Sequence, residues 1–358
     1  MKSLLSALLF LIIFSSSLIA QSSLAKYGND FLSTGAGARA LGMGSANASI
    51  VSDVTSGYWN VAGLSKITEP QAIYMHSERF DGIVGYDYGA VALPLQSKNA
   101  VFSISFFRQG VDNIANTLNA WDADRNQPRE NPQDFITKFS AADLALFFSL
   151  AKQSSDNLSY GITAKIINQR LGPFAEAWGY SLDIGAQLST DFADFGVSVR
   201  DVTTMQKMWD VNESEFAGFQ EAFDDSIPSG QNEYVLPSIK LGVSKNFVFN
   251  DFDLITAIDT DLLFENRQAY YINTGKMSIE PHVGAELTFK DVISFRTGVT
   301  DFITDPEGGF SVSPTLGLGL QFLKFNLDYG FASFAGTSSN LGYTHRISLQ
   351  YRFSSFLK

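Results

Sequence analysis

The chain has 358 residues, 45% of them hydrophobic and 13% aromatic, with no cysteine and a formal charge of −12. The lack of cysteine excludes disulfides, thiolate metal sites and cysteine nucleophiles, and the acidity argues against nucleic acid, because no basic stripe exists to neutralise phosphates. The 31 Phe, 13 Tyr and 29 Gly suit strands with an apolar face better than helices.

At the N-terminus, Lys2 precedes an apolar run from Leu4 to Phe14 broken only by Ser6. Too short to span a bilayer, the run reads as a secretory signal peptide covering residues 1–20 or 1–25. Cleavage after Ala25 places Ser23 and Ala25 at the small-residue positions, whereas cleavage after Ala20 leaves Gln21 first. No Cys follows the run, so this is not a lipoprotein signal, and export without disulfides fits a Gram-negative envelope. No later apolar run is long enough for a membrane helix.

Residues 26–69 do not alternate. Gly35, Gly37, Gly42 and Gly44 surround Arg39, and Asp53 and the run Tyr58-Trp59-Asn60-Val61-Ala62-Gly63-Leu64 follow. Such glycine density permits close backbone approach, which a hatch or plug folded inside a lumen requires. The spacing Gly35-x-Gly37-x-x-Ala40 imitates a dinucleotide fingerprint only loosely, with no βαβ unit after it. Inside a plug, Arg39 is a buried cation that needs an inward carboxylate such as Asp183 or Glu286.

From Gln71 onward the pattern has period two. In the last strand Tyr343, His345, Ile347, Leu349, Tyr351 and Phe353 share one face, and Thr344, Arg346, Ser348, Gln350 and Arg352 share the other. Fourteen such stretches are predicted near 71–80, 86–96, 99–110, 138–151, 157–170, 176–189, 192–202, 234–249, 252–264, 278–289, 292–302, 310–322, 323–334 and 341–353. Alternation alone also fits a soluble sandwich, so connection lengths decide. Connections after even-numbered strands are tight turns, while the long segments 111–137, 203–233, 265–277 and 303–309 all follow odd-numbered ones. Short periplasmic turns and long surface loops sort this way in an outer-membrane barrel. Stretches of ten or more residues also exceed the ~5–6 of soluble sheets and match a tilted membrane crossing. The expected fold is therefore all-β, a transmembrane antiparallel β-barrel of about fourteen strands over residues 70–358.

The inward positions carry Asp143, Lys165, Asp183, Arg200, Lys240, Asp259, Glu286, Arg296, Asp328, Arg346 and Arg352, charges of both signs able to pair across the lumen. In loop 203–233, Met205, Met208, Trp209, Phe216, Phe219 and Phe223 recur at helical spacing. The opposite face is acidic, with seven carboxylates from Asp210 to Glu233 against Lys207. In loop 111–137, Ile114, Leu118 and Trp121 form a shorter stripe. These stripes either pack on the barrel rim or form a surface for an apolar ligand or protein partner. No Ser, His and acidic spacing identifies a triad. The three histidines His76, His282 and His345 show no metal-ligand spacing, so no catalytic residue, metal or cofactor is expected.

The run Phe31-Leu32-Ser33-Thr34-Gly35-Ala36-Gly37-Ala38-Arg39-Ala40-Leu41-Gly42-Met43-Gly44, with Asp53 and Tyr58 to Leu64, resembles the N-terminal signature of the PorV/PorQ family. The ending Leu341 to Phe353 is similar to that family's last strand. The family lies within the group of long-chain fatty acid transporters (FadL), whose fourteen-stranded barrel carries a hatch with an Asn-Pro-Ala element; here Val61 replaces the Pro. The resemblance implies an outer-membrane interaction component of type IX secretion that binds the translocon or the C-terminal domains of secreted cargo at its extracellular loops. The alternative is a FadL-like transporter of long-chain fatty acids or other hydrophobic small molecules such as hydrocarbons. Either role implies outer-membrane lipid as surroundings. Tyr351 and Phe353 resemble the terminal signal read by the barrel-assembly machinery.

Overall fold

The computed structural model describes residues 23–24, 28–95, 99–122, 124–216, 232–304, 308–333 and 342–353. The expected signal peptide, apart from Ser23–Leu24, and Phe219 and Phe223 lie outside them. Fourteen long strands follow one another: β1 (Gln71–Arg79), β2 (Val84–Leu95), β3 (Ala100–Asn116), β4 (Thr137–Gln153), β5 (Leu158–Leu171), β6 (Ala175–Ser189), β7 (Asp194–Arg200), β8 (Ser238–Phe249), β9 (Phe252–Leu263), β10 (Ser278–Phe289), β11 (Ile293–Thr304), β12 (Phe310–Phe322), β13 (Phe325–Ser333) and β14 (Tyr343–Arg352). Each pairs antiparallel with its neighbours, and β1 pairs with β14 from Gln71↔Arg352 to Glu78↔His345. The sheet therefore closes and leaves no free edge, as a barrel in lipid must. No described helix is long and apolar enough to cross a membrane.

Period two in the sequence becomes two surfaces. On β14 the outward Ile347 and Leu349 are about half exposed (55% and 47%), while the inward Arg346 and Ser348 are each 1% exposed. Ile104, Leu150, Ile258, Phe295, Leu318 and Leu327 continue this apolar exterior around the wall. At the short-turn end lie the ring pairs Phe252–Phe289 (4.9 Å) and Phe325–Tyr351 (4.7 Å), where outer-membrane barrels carry an aromatic girdle. Tight turns at Asn250, Lys290–Asp291 and Leu323 use positive φ of 51–55°, the left-handed backbone that reverses adjacent twisted strands.

The core is not between two sheets. It lies in the lumen, which residues 28–69 fill as short helical turns: 3-10 turns at Asp30–Thr34 and Val61–Lys66, and helices α1 (Ala38–Gly42) and α2 (Ser56–Trp59). The segment enters at the loop end, where Arg267 of the 264–277 loop pairs with Asp30 at 2.6 Å. It leaves at the turn end, where the Phe353 backbone N–H donates to the Pro70 carbonyl at 2.8 Å.

Both loop stripes depart from the helical expectation. Met205–Val211 is a strand paired with Ala175–Tyr180 on the upper half of β6, with Met205 and Lys207 buried and Gln206 and Met208 exposed. Trp209 continues the strand, and Phe216 ends the 3-10 turn Glu213–Phe216. Pairing to an existing strand satisfies this backbone more fully than an isolated surface helix would. In the other loop, β3 carries Ile114 on to Asn116, Leu118 starts a 3-10 turn, and Trp121–Asp122 pairs with Gln127–Pro128 as a small hairpin.

Candidate functional site in the lumen

The hatch is seated on inward-facing glycines of the wall. A Cβ at Gly196 would lie 2.2 Å from the Ala48 carbonyl oxygen, one at Gly284 2.3 Å from that of Met43, and one at Gly330 2.7 Å from that of Ala38. On the hatch side, Gly44 (φ 60°) passes the β10 and β11 backbone, where a Cβ would stand 2.7 Å from the Val283 oxygen and the Val299 nitrogen. Gly42 meets Gly317 backbone to backbone, and the Thr315 hydroxyl donates to the Gly42 carbonyl at 3.0 Å. Gly63 packs on the Val51 carbonyl within the hatch.

Polar side chains complete the seat. Asn60, 1% exposed, donates to the Ala48 carbonyl at 2.8 Å and the Ala186 carbonyl at 3.1 Å, and accepts from the Ala62 N–H at 3.2 Å. It thereby caps the turn that begins at Val61, so the cap geometry persists without proline at the first helical position. Asp53 accepts from the Thr55 N–H at 2.8 Å and starts the turn into α2. Trp59 Nε1 donates to the Ala36 carbonyl at 2.7 Å, and the Tyr58 hydroxyl donates to the Leu32 carbonyl. Tyr58 packs among Trp59, Tyr88, Phe107 and Phe147, with ring centroids 5.0–6.2 Å apart, joining the hatch to β2, β3 and β4.

Of the two carboxylates expected near Arg39, Glu286 takes the pair. Arg39 Nε and Nη2 each lie 2.8 Å from a Glu286 oxygen, a bidentate contact. Burial works against the Arg39 charge, but the adjacent Glu286 carboxylate outweighs it and holds the guanidinium above its ordinary range. Arg296 also bonds Glu286, and reaches Asp328 at 2.7 Å. Asp183 instead accepts from Lys165 at 3.1 Å, and Lys165 also reaches Asp201 at 2.8 Å. The inward charges thus pair along the wall and with the hatch rather than across an open lumen. Asp259 accepts the Asn47 and Ala48 N–H groups at 2.7 Å each. Asp143 accepts from Gln169 at 3.0 Å. Arg346 and Arg200 depart from charge pairing: Arg346 donates to the hatch carbonyls of Thr34 and Gly37, and Arg200 lies over the Tyr58 ring, 5.1 Å from its centre.

Above the hatch is a cavity of about 200 Å³. Leu32, Leu41, Tyr58, Trp59 and Phe147 form its apolar side, and Lys165, Arg200, Lys240 and Asp261 part of its charged side. Its rim is a break in the ladder. β8 pairs with β9 up to Ser238↔Leu263, and above that point Asn232–Val235 pairs with Met205–Met208 instead. Val235, Leu236, Pro237 and Phe264 therefore face the cavity. Ser23–Leu24 runs parallel beside Glu233–Tyr234 at the same end.

Among the described residues, those of the expected loop surface are spread over different surroundings. Met205 is fully buried and accepts a hydrogen bond from Asn29, Phe216 packs on Phe174 at 5.4 Å, and Met208 faces outward, 42% exposed. Trp209 lies 5.8 Å from the Lys207 ammonium. At the turn end, Tyr351 and Phe353 rings meet at 4.7 Å.

No protein-family model and no curated protein matches the sequence. Solved structures do match. The chain is similar to the toluene transporter TodX of Pseudomonas putida (TM-score 0.54, 12% identity, covering 92% of this chain and 98% of that one). It is also similar to the toluene transporter TbuX of Ralstonia pickettii (0.52, 12%, 89% and 99%) and to a FadL homologue of Pseudomonas aeruginosa (0.51, 13%, 94% and 100%). The fold is FadL-like.

Proposed function

We propose that this protein is an outer-membrane channel for hydrophobic small molecules, closed at rest by its N-terminal hatch. The observation that carries the reading is the cavity between hatch and loops, apolar on one side and rimmed by Val235, Leu236, Pro237 and Phe264 where the β8–β9 ladder ends. A cavity of about 150 Å³ lined by apolar groups can hold benzene, so this volume suits a monoaromatic ring better than an entire long acyl chain. The likeness to two toluene transporters supports the same class of solute. Because the hatch fills the lumen below the cavity, passage requires the hatch to move. Cells expressing the chain are expected to take up labelled toluene faster than cells carrying Leu236→Asp at matched levels of folded barrel. Equal uptake by the two, or none above empty cells, would refute the channel reading.

The second reading, an interaction component of type IX secretion, is supported by the PorV/PorQ-like motifs at both ends and by the closure of the lumen with ion pairs. In it, the loops bind the translocon or cargo C-terminal domains and the hatch stays in place. Recovery of translocon components with the detergent-solubilised protein, in the absence of toluene uptake, would favour it over the channel. Of the histidines, His345 points outward to the Tyr329 hydroxyl at 2.7 Å, and His76 sits exposed beside Asp87.

A further inference from the structure

We infer that Asp261, Glu280 and His282 form a binding site for a divalent transition-metal ion, zinc by the chemistry of its donors, at the loop end of the lumen. The site is independent of which solute or partner the barrel serves.

Sheet register builds it. Glu280 and His282 are two apart on β10 and share its inward face, while Asp261 on β9 is the direct cross-strand partner of Glu280. One ligand atom from each of the three lies within 4.8 Å of the others. Donors on a tetrahedral zinc ion at ~2.0–2.2 Å stand roughly 3.3–3.6 Å apart, so these side chains need to close by up to about an ångström to complete the set. All three border the cavity above the hatch, which leaves room for water in the remaining coordination position.

The imidazole supplies the second, independent observation. His282 is 3% exposed, and its Nδ1 lies 3.0 Å from the Gly44 carbonyl oxygen of the hatch. Nδ1 also lies 3.0 Å from the Thr300 hydroxyl, which can accept or donate, whereas the Gly44 carbonyl can only accept; with the proton on Nδ1 to serve that carbonyl, Nε2 of the neutral ring presents a lone pair. That lone pair faces Asp261 Oδ2 at 3.2 Å. Two electron-pair donors opposed at this distance require a cation between them, either a proton on the ring or a metal ion. Holding the far nitrogen of a ligand histidine on a backbone carbonyl is the usual means of orienting it toward a metal. Lys240 takes the other Asp261 oxygen, Oδ1, at 2.9 Å, so Oδ2 remains for the ion. Asp301 and Tyr270 line the same part of the cavity. A nitrogen donor with two carboxylates disfavours magnesium and calcium, which take oxygen ligands, and suits zinc. Because His282 also holds Gly44, an ion here ties β9 and β10 to the hatch.

The test is zinc binding to the full-length, chelator-stripped protein in detergent, followed by calorimetry. One zinc per chain is expected, with His282→Gln and Glu280→Gln each weakening affinity by about tenfold or more. The exposed His76, beside Asp87 and Glu78, is the competing surface site, and His76→Gln is expected to leave binding unchanged. Absence of stoichiometric uptake would identify a proton as the occupant and overturn the proposal. Retention of affinity in folded His282→Gln, or its loss in His76→Gln, would do the same. If the lumen variants fail the heat-modifiability check for folding, X-ray absorption on the zinc-loaded wild type decides. One imidazole with oxygen donors supports the site; no imidazole, or more than one, overturns it.

Discussion

Glu286 is shared by two guanidiniums, Arg39 of the hatch and Arg296 of β11. Removing its charge leaves two buried cations, one of which retains Asp328. Breaking a buried pair from one side typically costs ~3–5 kcal/mol. Glu286→Gln is expected to lower stability by about that amount, read as a shifted denaturant midpoint for the detergent-solubilised protein; an unchanged midpoint would mean that water or other groups satisfy Arg39. Asn60 exemplifies neutral anchoring. Its side chain serves the hatch and the β6 carbonyl of Ala186 together, and Asn60→Ala is expected to cost ~1–3 kcal/mol by leaving buried groups unsatisfied. The sequence marked Asn60 only as part of the run Tyr58 to Leu64 in the expected hatch. That Ala186, 126 positions away, is that partner depends on where the hatch lies in the barrel.

Whole elements meet through missing side chains. The glycines on β7, β10 and β13 let hatch carbonyls approach the wall, and a leucine at Gly284 would place its Cβ 2.3 Å from the Met43 oxygen. Gly284→Leu is expected to unseat the hatch while the barrel still closes. Added protease should then cleave within residues 28–69 of the folded variant, and a protected hatch would count against this account. At the other end of the chain, Phe353 stacks edge-on against Tyr351 and bonds Pro70 where the hatch joins β1. Phe353→Ala is expected to reduce heat-modifiable barrel in the outer membrane; normal levels would remove Phe353 from assembly. The Met205–Val211 segment shows how helical spacing misleads. Met205, Met208 and Trp209 satisfy a helix template in isolation, but a neighbouring β6 with unpaired backbone above Tyr180 offers complete hydrogen bonding.

For the molecule as a whole, plug and wall divide the work of closure. The wall alone carries inward Lys165, Arg296, Asp183 and Asp328, which water could solvate in an open lumen. Deleting residues 28–69 is therefore expected to give a folded barrel that conducts ions in planar bilayers, whereas the intact protein stays silent. A silent deletion variant would mean that wall side chains alone fill the lumen. The charge of −12 has no comparable consequence for fold, since the inward Lys165, Lys240 and Arg296 pair locally with carboxylates of the wall.

What the sequence determined by itself was the barrel: fourteen strands and their inward and outward faces. These follow from period two and connection length, both local along the chain. Tertiary structure decided which groups meet. Glu286 rather than Asp183 answers Arg39, the wall glycines match particular hatch carbonyls, and Asp261 comes opposite Glu280 with His282 beside them. Each depends on register between strands or on the depth of the hatch, and a strand slipped by one residue would turn its inward side chains to the lipid.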